Sequence, residues 1–512
     1  MKKPVFRHIA QATIAASMLM TSCASNNDGA TATNTGTQSS CKAPKYIFYF
    51  VGDGMSQPQI SMAEKAISDE GFRTQFGTET CNYYSIPQDF KLNLRKFATL
   101  GMATTNAENR FITCSAAAAT ALATGHKTTI NTISMNGDRT QNLETVAEKA
   151  HKAGMKVGII SSVSIDHATP ACFYAHTEDR SNYETIGKYL LKSGFDYFGG
   201  GFVKWDTYEN TTLEQYIDSL KANGYTVAKG VEDMKALKPG CGKAIASIEK
   251  LFNECQDGNS LPYNIDLDEQ AGDNDRIPLR DFVKKGIELL YNTDKGFFIF
   301  CEGGKIDWAD HANDAVSNVY ETLALDQAIG VAMDFYNEHP DETLIVFTGD
   351  HECGGLTLGF AGTHYESAFE LMKNQKRSFN RFGAHMHEFV KTNTFEAVLN
   401  ELKDNFGLGN DGPLALSEYE TKRLKEAYQV SRGDKKTSLS DEEKSLFFGG
   451  YEPVTVTATT ILDNKCGVEW ASFSHTALPV PVYAIGCGAQ LLEGYFDNTD
   501  IPNTIMKLEG WR

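Results

Sequence analysis

The sequence predicts an α/β fold: a three-layer sandwich with a central, mostly parallel sheet and helices on both faces. Three observations predict it. Short apolar runs recur along the chain and alternate with segments of helical spacing. The runs lack the polar alternation of a half-exposed strand, so each reads as buried on both faces. The 512 residues are 41% apolar and 22% charged, enough to bury a large core and unlike a disordered chain.

The elements follow in order. Tyr46 to Val51 is a buried strand that runs into Gly52-Asp53-Gly54. Leu143 to Ala153 has helical spacing, Gly154 stops it, and Lys156 to Ser161 is the next buried strand. Leu279 to Leu290 predicts a helix, followed by a strand over Gly296 to Cys301. Ala324 to Tyr336 predicts another helix, followed by a strand over Leu344 to Thr348. In such sheets the ligand lies at the carboxyl ends of the strands. Two stretches break the rhythm inside a catalytic domain expected over 45–512. Residues 196–278 form a variable stretch of polar helices and turns. Residues 360–465 are long, charged and mostly helical, and read as an insertion near the site; a separately folded cap is the alternative. There is no internal repeat.

The first residues are not part of the fold. Residues 1–22 carry a basic start, a short apolar core and small residues, the order of a secretory signal peptide. Cys23 resembles the acylated cysteine of a bacterial lipobox, and residues 23–44 then form a polar tether. The expectation is an exported protein, lipid-anchored in the cell envelope on its periplasmic or outer side. The net charge of −18 argues against nucleic-acid recognition, since no basic face is available to displace counterions. Cys241 and Cys255, and Cys466 and Cys487, are close enough in sequence to close loops, but pairing stays open.

The chemistry sits just past the strands. Asp53 follows the first. Glu302 follows the third, in Glu302-Gly303-Gly304-Lys305-Ile306-Asp307-Trp308-Ala309-Asp310-His311. Asp350-His351 follows the fourth. Carboxylates and imidazoles clustered at strand ends are what zinc and magnesium require. Asp307 and His311 are four apart and share one face of a helix. In Thr113-Cys114-Ser115-Ala116-Ala117, Ser115 stands at a helix start, where free backbone N–H groups attract an anion.

These residues resemble the alkaline phosphatases of the metal-dependent phosphatase superfamily. The motifs that carry the resemblance run from about Tyr46 to Ala489: Val51-Gly52-Asp53-Gly54-Met55, the stretch at Ser115, His167-Ala168-Thr169-Pro170, Ala175-His176 with Arg180, Glu302 to His311, Gly349-Asp350-His351, and Ser474-His475-Thr476. The resemblance implies a phosphomonoesterase with an alkaline optimum, a broad range of small phosphate monoesters and a phosphoserine intermediate on Ser115. It implies Arg180 as the phosphate clamp. It implies one zinc on Asp307, His311 and His475, a second on Asp53, Asp350 and His351, and a third ion, usually magnesium, on Asp53, Thr169 and Glu302. Many members are homodimers.

Departures accompany it. Cys114 stands where the family usually has an aspartate that steadies the arginine, so Arg180 is expected to be more mobile or held by another residue. His167 and Trp308 stand where many members have Asp and Lys, which leaves no orphan charge. His167 is expected beside the third ion or on it. His385 and His387 read as surface histidines of a helix, and His176 as a packed helix residue. His126 and Lys127 receive no role. A sulfatase is disfavoured, because the stretch from Cys114 to Ala118 lacks the proline and arginine of the formylglycine motif. A diesterase often uses threonine and lacks this ligand set. A lipoprotein that only binds phosphate or glycan has no need of a nucleophile beside metal sites.

Overall fold

A computed structural model describes residues 43–70, 72, 91–255, 257–267, 274–433 and 439–511. The signal-peptide segment, Cys23 and nearly all of the tether lie outside the described residues. Among the described residues no helix is long and apolar enough to cross a membrane.

The core is one ten-stranded sheet. Its strands in chain order are β1 (Tyr46–Gly52), β2 (Thr99–Thr104), β3 (Lys156–Ser161), β4 (Tyr197–Gly200), β5 (Tyr225–Lys229), β6 (Lys243–Ser247), β7 (Phe297–Gly303), β8 (Thr343–Gly349), β11 (Val480–Gly486) and β12 (Gly494–Asp497). Between β8 and β11 the chain forms a separate two-stranded clip of β9 (Glu352–Cys353) and β10 (His475–Thr476). The spatial order is β12-β2-β11-β8-β1-β7-β3-β4-β6-β5. Among the described strands only β11 runs antiparallel to its two neighbours. Every residue of β1, β7 and β8 is buried, so helices cover both faces, as a parallel centre requires.

The structure revises the sequence reading in three places. The stretch 196–278 holds β4, β5 and β6, which widen the sheet at one edge. The helix expected from Leu143 starts at Val146, because Thr145 caps it: Glu148 N–H donates to Thr145 Oγ1 at 3.0 Å, and Glu148 Oε2 accepts from Thr145 N–H at 2.8 Å. The helix expected from Ala324 begins at Ala315, where the Asp314 carboxylate accepts from Ser317 N–H, and it continues to Glu338. Residues 360–465 are helical, with helices Phe379–Thr392, Phe395–Phe406, Glu418–Ser431 and Pro453–Cys466 packed on one another.

Candidate active site

Strand register assembles the site. Gly52 of β1 pairs with Gly349 of β8, so Asp53 and Asp350, one residue further on, leave adjacent strands at the same level. Val51 pairs with Glu302 of β7, and Glu302 pairs with Ser161 of β3. The clip then brings in a distant residue. His475 pairs with Cys353, two residues past His351, and the rings of His351 and His475 stack at 3.6 Å. Asp307 and His311 share the helix Lys305–His311, which starts two residues after β7. Gly54 lets that helix close in. Its φ is +72°, and a Cβ there would sit 2.8 Å from the Asp307 Cα.

Among the described residues three groups of metal-ligand type result: Asp307, His311, Cys353 and His475; Asp53, Asp350 and His351; and Asp53, His167 and Glu302. Thr169 is beside the last, its Oγ1 3.5 Å from Asp53 Oδ2. In the first group Asp307 Oδ1 lies 3.5 Å from His311 Nε2 and 3.4 Å from His475 Nε2. In the second, His351 Nε2 lies 3.4 Å from Asp53 Oδ1 and 3.3 Å from Asp350 Oδ2. The far ring nitrogens are tied down. His311 Nδ1 meets the Phe473 carbonyl at 2.7 Å, and His475 Nδ1 meets the Thr113 carbonyl at 3.0 Å. Each of those Nδ1 atoms donates, so Nε2 is the ring atom turned toward Asp307 and, in the neutral imidazole, the one with a free lone pair.

The residues fit bound cations. Asp53 Oδ1, Asp307 Oδ1, Asp350 Oδ2 and Glu302 Oε1 are buried and accept no hydrogen bond. Buried carboxylate oxygens without donors are costly. Oxygens and imidazole lone pairs facing each other at 3.3 to 3.5 Å are spaced as ligands that share one ion. Protonation tells the same story. Burial, then repulsion from Asp350, Asp307 and Glu302, pushes Asp53 well above the usual carboxylate range. Burial pushes Asp350 to about 7 and Glu302 to about 8. Burial acts on Asp307 as well, but His311 and His475 outweigh it and hold that carboxyl below its usual value. Positive charge placed among these groups would return Asp53, Asp350 and Glu302 to the ionised form that Asp307 already has.

Ser115 is the first residue of the helix Ser115–Thr124, whose every residue is buried. Its Oγ is 3.4 Å from His351 Nε2. Four consecutive alanines follow it, and small side chains let this helix pack closely on the short helix Ala168–Ala171 that carries Thr169. The N–H groups of its first turn, up to Ala117, have no acceptor within the helix, the usual condition for holding an anion.

Arg180 is held by His167: its Nη2 donates to His167 Nε2 at 3.2 Å. Cys114 takes no part, since its sulfur accepts from Asn131 N–H at 3.2 Å instead. Burial and the neighbouring guanidinium push His167 down to about 3, so the ring is neutral. With Nε2 accepting, the ring proton sits on Nδ1, and in this arrangement His167 offers no lone pair to an ion. Trp308 meets the His167 ring edge-on, centroids 5.7 Å apart.

Among residues the sequence reading passed over, Cys353 is the main one. It is buried and faces Asp307, and the signal was present as a thiol two positions after His351. Ser161 is the other: its hydroxyl donates to Glu302 Oε2. His385 lies on the helix Phe379–Thr392 as expected, bonded to Glu401 at 3.2 Å, and His387 is exposed. His176 is packed, but on a loop rather than a helix, between the Ser134 carbonyl and Glu148. Lys127 braces Asp497 and Asn498, and His126 is exposed. Cys241, Cys255 and Cys466 are free thiols, so neither loop suggested by cysteine spacing is closed by a disulfide.

Above these groups is a cavity of about 510 Å³, lined at its floor by Ser115, Arg180, Asp307, His311 and His475. Comparison with known proteins adds the lineage. The family profile described as "Alkaline phosphatase" matches residues 44–194 and 214–510. Alkaline phosphatase 4 of Bacillus subtilis is 29% identical over 472 residues, covering 90% of this chain and 88% of that protein. Alkaline phosphatase 3 of the same organism is 28% identical over 412 residues, 77% of each chain. The crystal structure of a cold-active alkaline phosphatase from a psychrophilic Shewanella sp. superposes with a TM-score of 0.70 at 27% identity, covering 90% of this chain and 99% of that one.

Proposed function

The chain belongs to the alkaline phosphatase family and is a phosphatase enzyme, and from that premise we propose a mechanism for hydrolysis of phosphate monoesters through a phosphorylated Ser115. One observation carries this reading: four buried carboxylate oxygens without donors converge beside a serine at a helix start and an arginine. Asp307, His311 and His475 would hold one zinc. Asp53, Asp350 and His351 would hold a second. Asp53, Glu302 and Thr169 would hold a third ion, usually magnesium. When bound, these ions supply positive charge that lowers the pKa of the serine hydroxyl and steadies charge on the phosphoryl and leaving oxygens.

The remaining roles belong to the chain. Arg180, steadied by His167, clamps two phosphate oxygens with its planar fork. The N–H groups of the first helical turn face the same anion. Ser115 Oγ attacks phosphorus and gives up its proton to solvent. The phosphorus–ester oxygen bond breaks, and the departing oxygen keeps the electron pair and takes a proton from solvent. Water then attacks the phosphoserine, restores the Ser115 hydroxyl and frees inorganic phosphate. Binding of the common phosphate gives a broad range of monoesters a foothold, among which the leaving group can still set preferences, and the family likeness supports an alkaline optimum.

Ser115→Ala tests the mechanism, with bound metal measured alongside. We expect kcat for benzyl phosphate to fall by at least about a thousandfold with metal retained. A kcat within about threefold of wild type contradicts it. Loss of turnover after EDTA and its return with zinc separates an enzyme from a phosphate-binding lipoprotein.

We also propose that the enzyme is exported and lipid-anchored through Cys23. The support is the order of Met1 to Cys23 and the polar tether after it. A broad phosphatase outside the cytoplasm spares nucleotides and sugar phosphates. Cys23→Ser is expected to release soluble, active enzyme; persistence in the membrane fraction places the anchor elsewhere.

A further inference from the structure

Resting on that phosphomonoesterase reading, we propose that the site prefers monoesters whose leaving group is a neutral, planar aromatic group, received in an aromatic box over Ser115 that residues 360–465 complete. The cavity is too large for phosphate alone. At about 510 Å³ it falls in the range of pockets that enclose whole small ligands, roughly 300–1,000 Å³. Its floor is ionic, but its walls are Tyr263, Trp308, Phe379 and Tyr451.

Two of these four rings come from the helical stretch: Phe379 from the start of its helix, and Tyr451 from the turn before Pro453–Cys466. The box is braced rather than loose. Tyr263 and Phe379 meet edge-on with centroids 5.5 Å apart, and Phe379 and Tyr451 meet edge-on at 5.6 Å. On the other side Gly258, at φ +65°, brings the backbone against the indole; a Cβ there would sit 3.2 Å from the rim of Trp308. The Phe379 N–H donates to Asp314 at 2.8 Å, which anchors that wall to the catalytic core.

Two features point to the occupant. Trp308, Phe379 and Tyr451 are only half-buried beside a highly charged floor. Aromatic faces do nothing for a phosphate, whereas a planar ring covers them by stacking. Asp257 at the rim disfavours leaving groups with further negative charge. A glycerol or small sugar leaving group would lose hydration and recover little from these walls.

The experiment compares kcat/KM of the metal-loaded enzyme on benzyl phosphate, adenosine 5′-monophosphate and glycerol phosphate. All three release an alcohol, so differences in phenol-like leaving ability do not intrude. We expect at least one aromatic ester to exceed glycerol phosphate by about tenfold, mainly through KM. The better of the two identifies a small aryl or a nucleoside group as the natural fit. Phe379→Leu and Tyr451→Leu keep apolar bulk but remove the π faces, and each is expected to cut the aromatic-to-glycerol ratio several-fold. A ratio near one in the wild type, or one unmoved in both variants, overturns the aromatic preference while leaving the phosphatase reading intact. Absence of turnover on all three esters overturns the phosphatase reading itself.

Discussion

Asp310 and Glu352 are immediate chain neighbours of the candidate ligands, three residues after Asp307 and one after His351, and both are buried. Their oxygens are all satisfied. Asn318 donates to Asp310 Oδ1 at 2.6 Å, and Gln59 donates to Asp310 Oδ2 and Glu352 Oε1 at 3.2 Å. Leu356 N–H donates to Glu352 Oε1 at 3.0 Å, while Gly355 N–H and the Thr476 hydroxyl donate to Oε2. A few ångströms of chain away, Asp53, Asp307, Asp350 and Glu302 each keep a buried oxygen with no donor. Both clusters are acidic and dry. What separates them is donors: one cluster is closed by amides and hydroxyls and braces the fold, and the other is open and built for cations.

The sharpest way to break this contrast is a matched pair of substitutions on one helix. Asp307→Asn is expected to lower turnover by at least about a thousandfold and to reduce zinc content. Asp310→Asn keeps its metal and loses on the order of 1–3 kcal/mol of stability, because one amide–amide contact replaces an accepted hydrogen bond. Metal analysis with thermal melts separates the two. Equal metal loss in both variants would erase the distinction.

Chelation sharpens it further through pH. Without cations, the folded-state values of Asp350 and Glu302 lie at about 7 and about 8, above those of the unfolded chain. The folded apoprotein therefore binds more protons than the unfolded chain between about pH 4 and 8. Its stability falls as pH rises through that window and levels off above it. Melts of the EDTA-treated enzyme should show this decline from about pH 5 to 8. The zinc-loaded enzyme should show a shallower decline, since bound cations favour the ionised cluster carboxylates while Asp166, Asp266, Asp326 and Glu509, raised by burial elsewhere in the fold, still contribute. An apoprotein with a flat profile would show that repulsion in the open cluster is already relieved.

A smaller effect is expected at the arginine. His167→Ala removes the acceptor for Arg180 and is expected to raise KM about tenfold, with a smaller change in kcat and full metal content. His167→Gln, which can still accept from the guanidinium, should recover part of that loss. The smallest effect is at the other histidine pair. His387→Ala, at an exposed position, should leave metal content unchanged and move stability by no more than about 0.5 kcal/mol, and His385→Ala, half-buried beside Glu401, should also leave metal content unchanged.

These contrasts also mark what was legible before the structure. The central strands could be read because long apolar runs such as Tyr46 to Val51 and Leu344 to Thr348 declare themselves locally. The residue types at their ends could be read for the same reason. β4, β5 and β6 could not. YFGG, YTVAK and KAIAS are four or five residues long and broken by glycine, lysine or serine, and only their pairing makes them strands. The difference between Asp307 and Asp310 was equally invisible. It depends on Gln59, some 250 positions away, and on Asn318. The holder of Arg180 depends on how a short loop places His167, and the aromatic box depends on Phe379 and Tyr451 meeting Tyr263 across the fold.

The most direct test of the open cluster is the metal content of the chain itself. Metal-loaded protein freed of loose ions by gel filtration should carry close to three ions per chain by elemental mass spectrometry. Asp53→Asn, which removes the carboxylate shared by two of the groups, should carry close to one. Wild-type protein with fewer than one ion per chain after loading, or the same content in the Asp53→Asn variant, would contradict the claim that these donor-free carboxylates exist to hold cations.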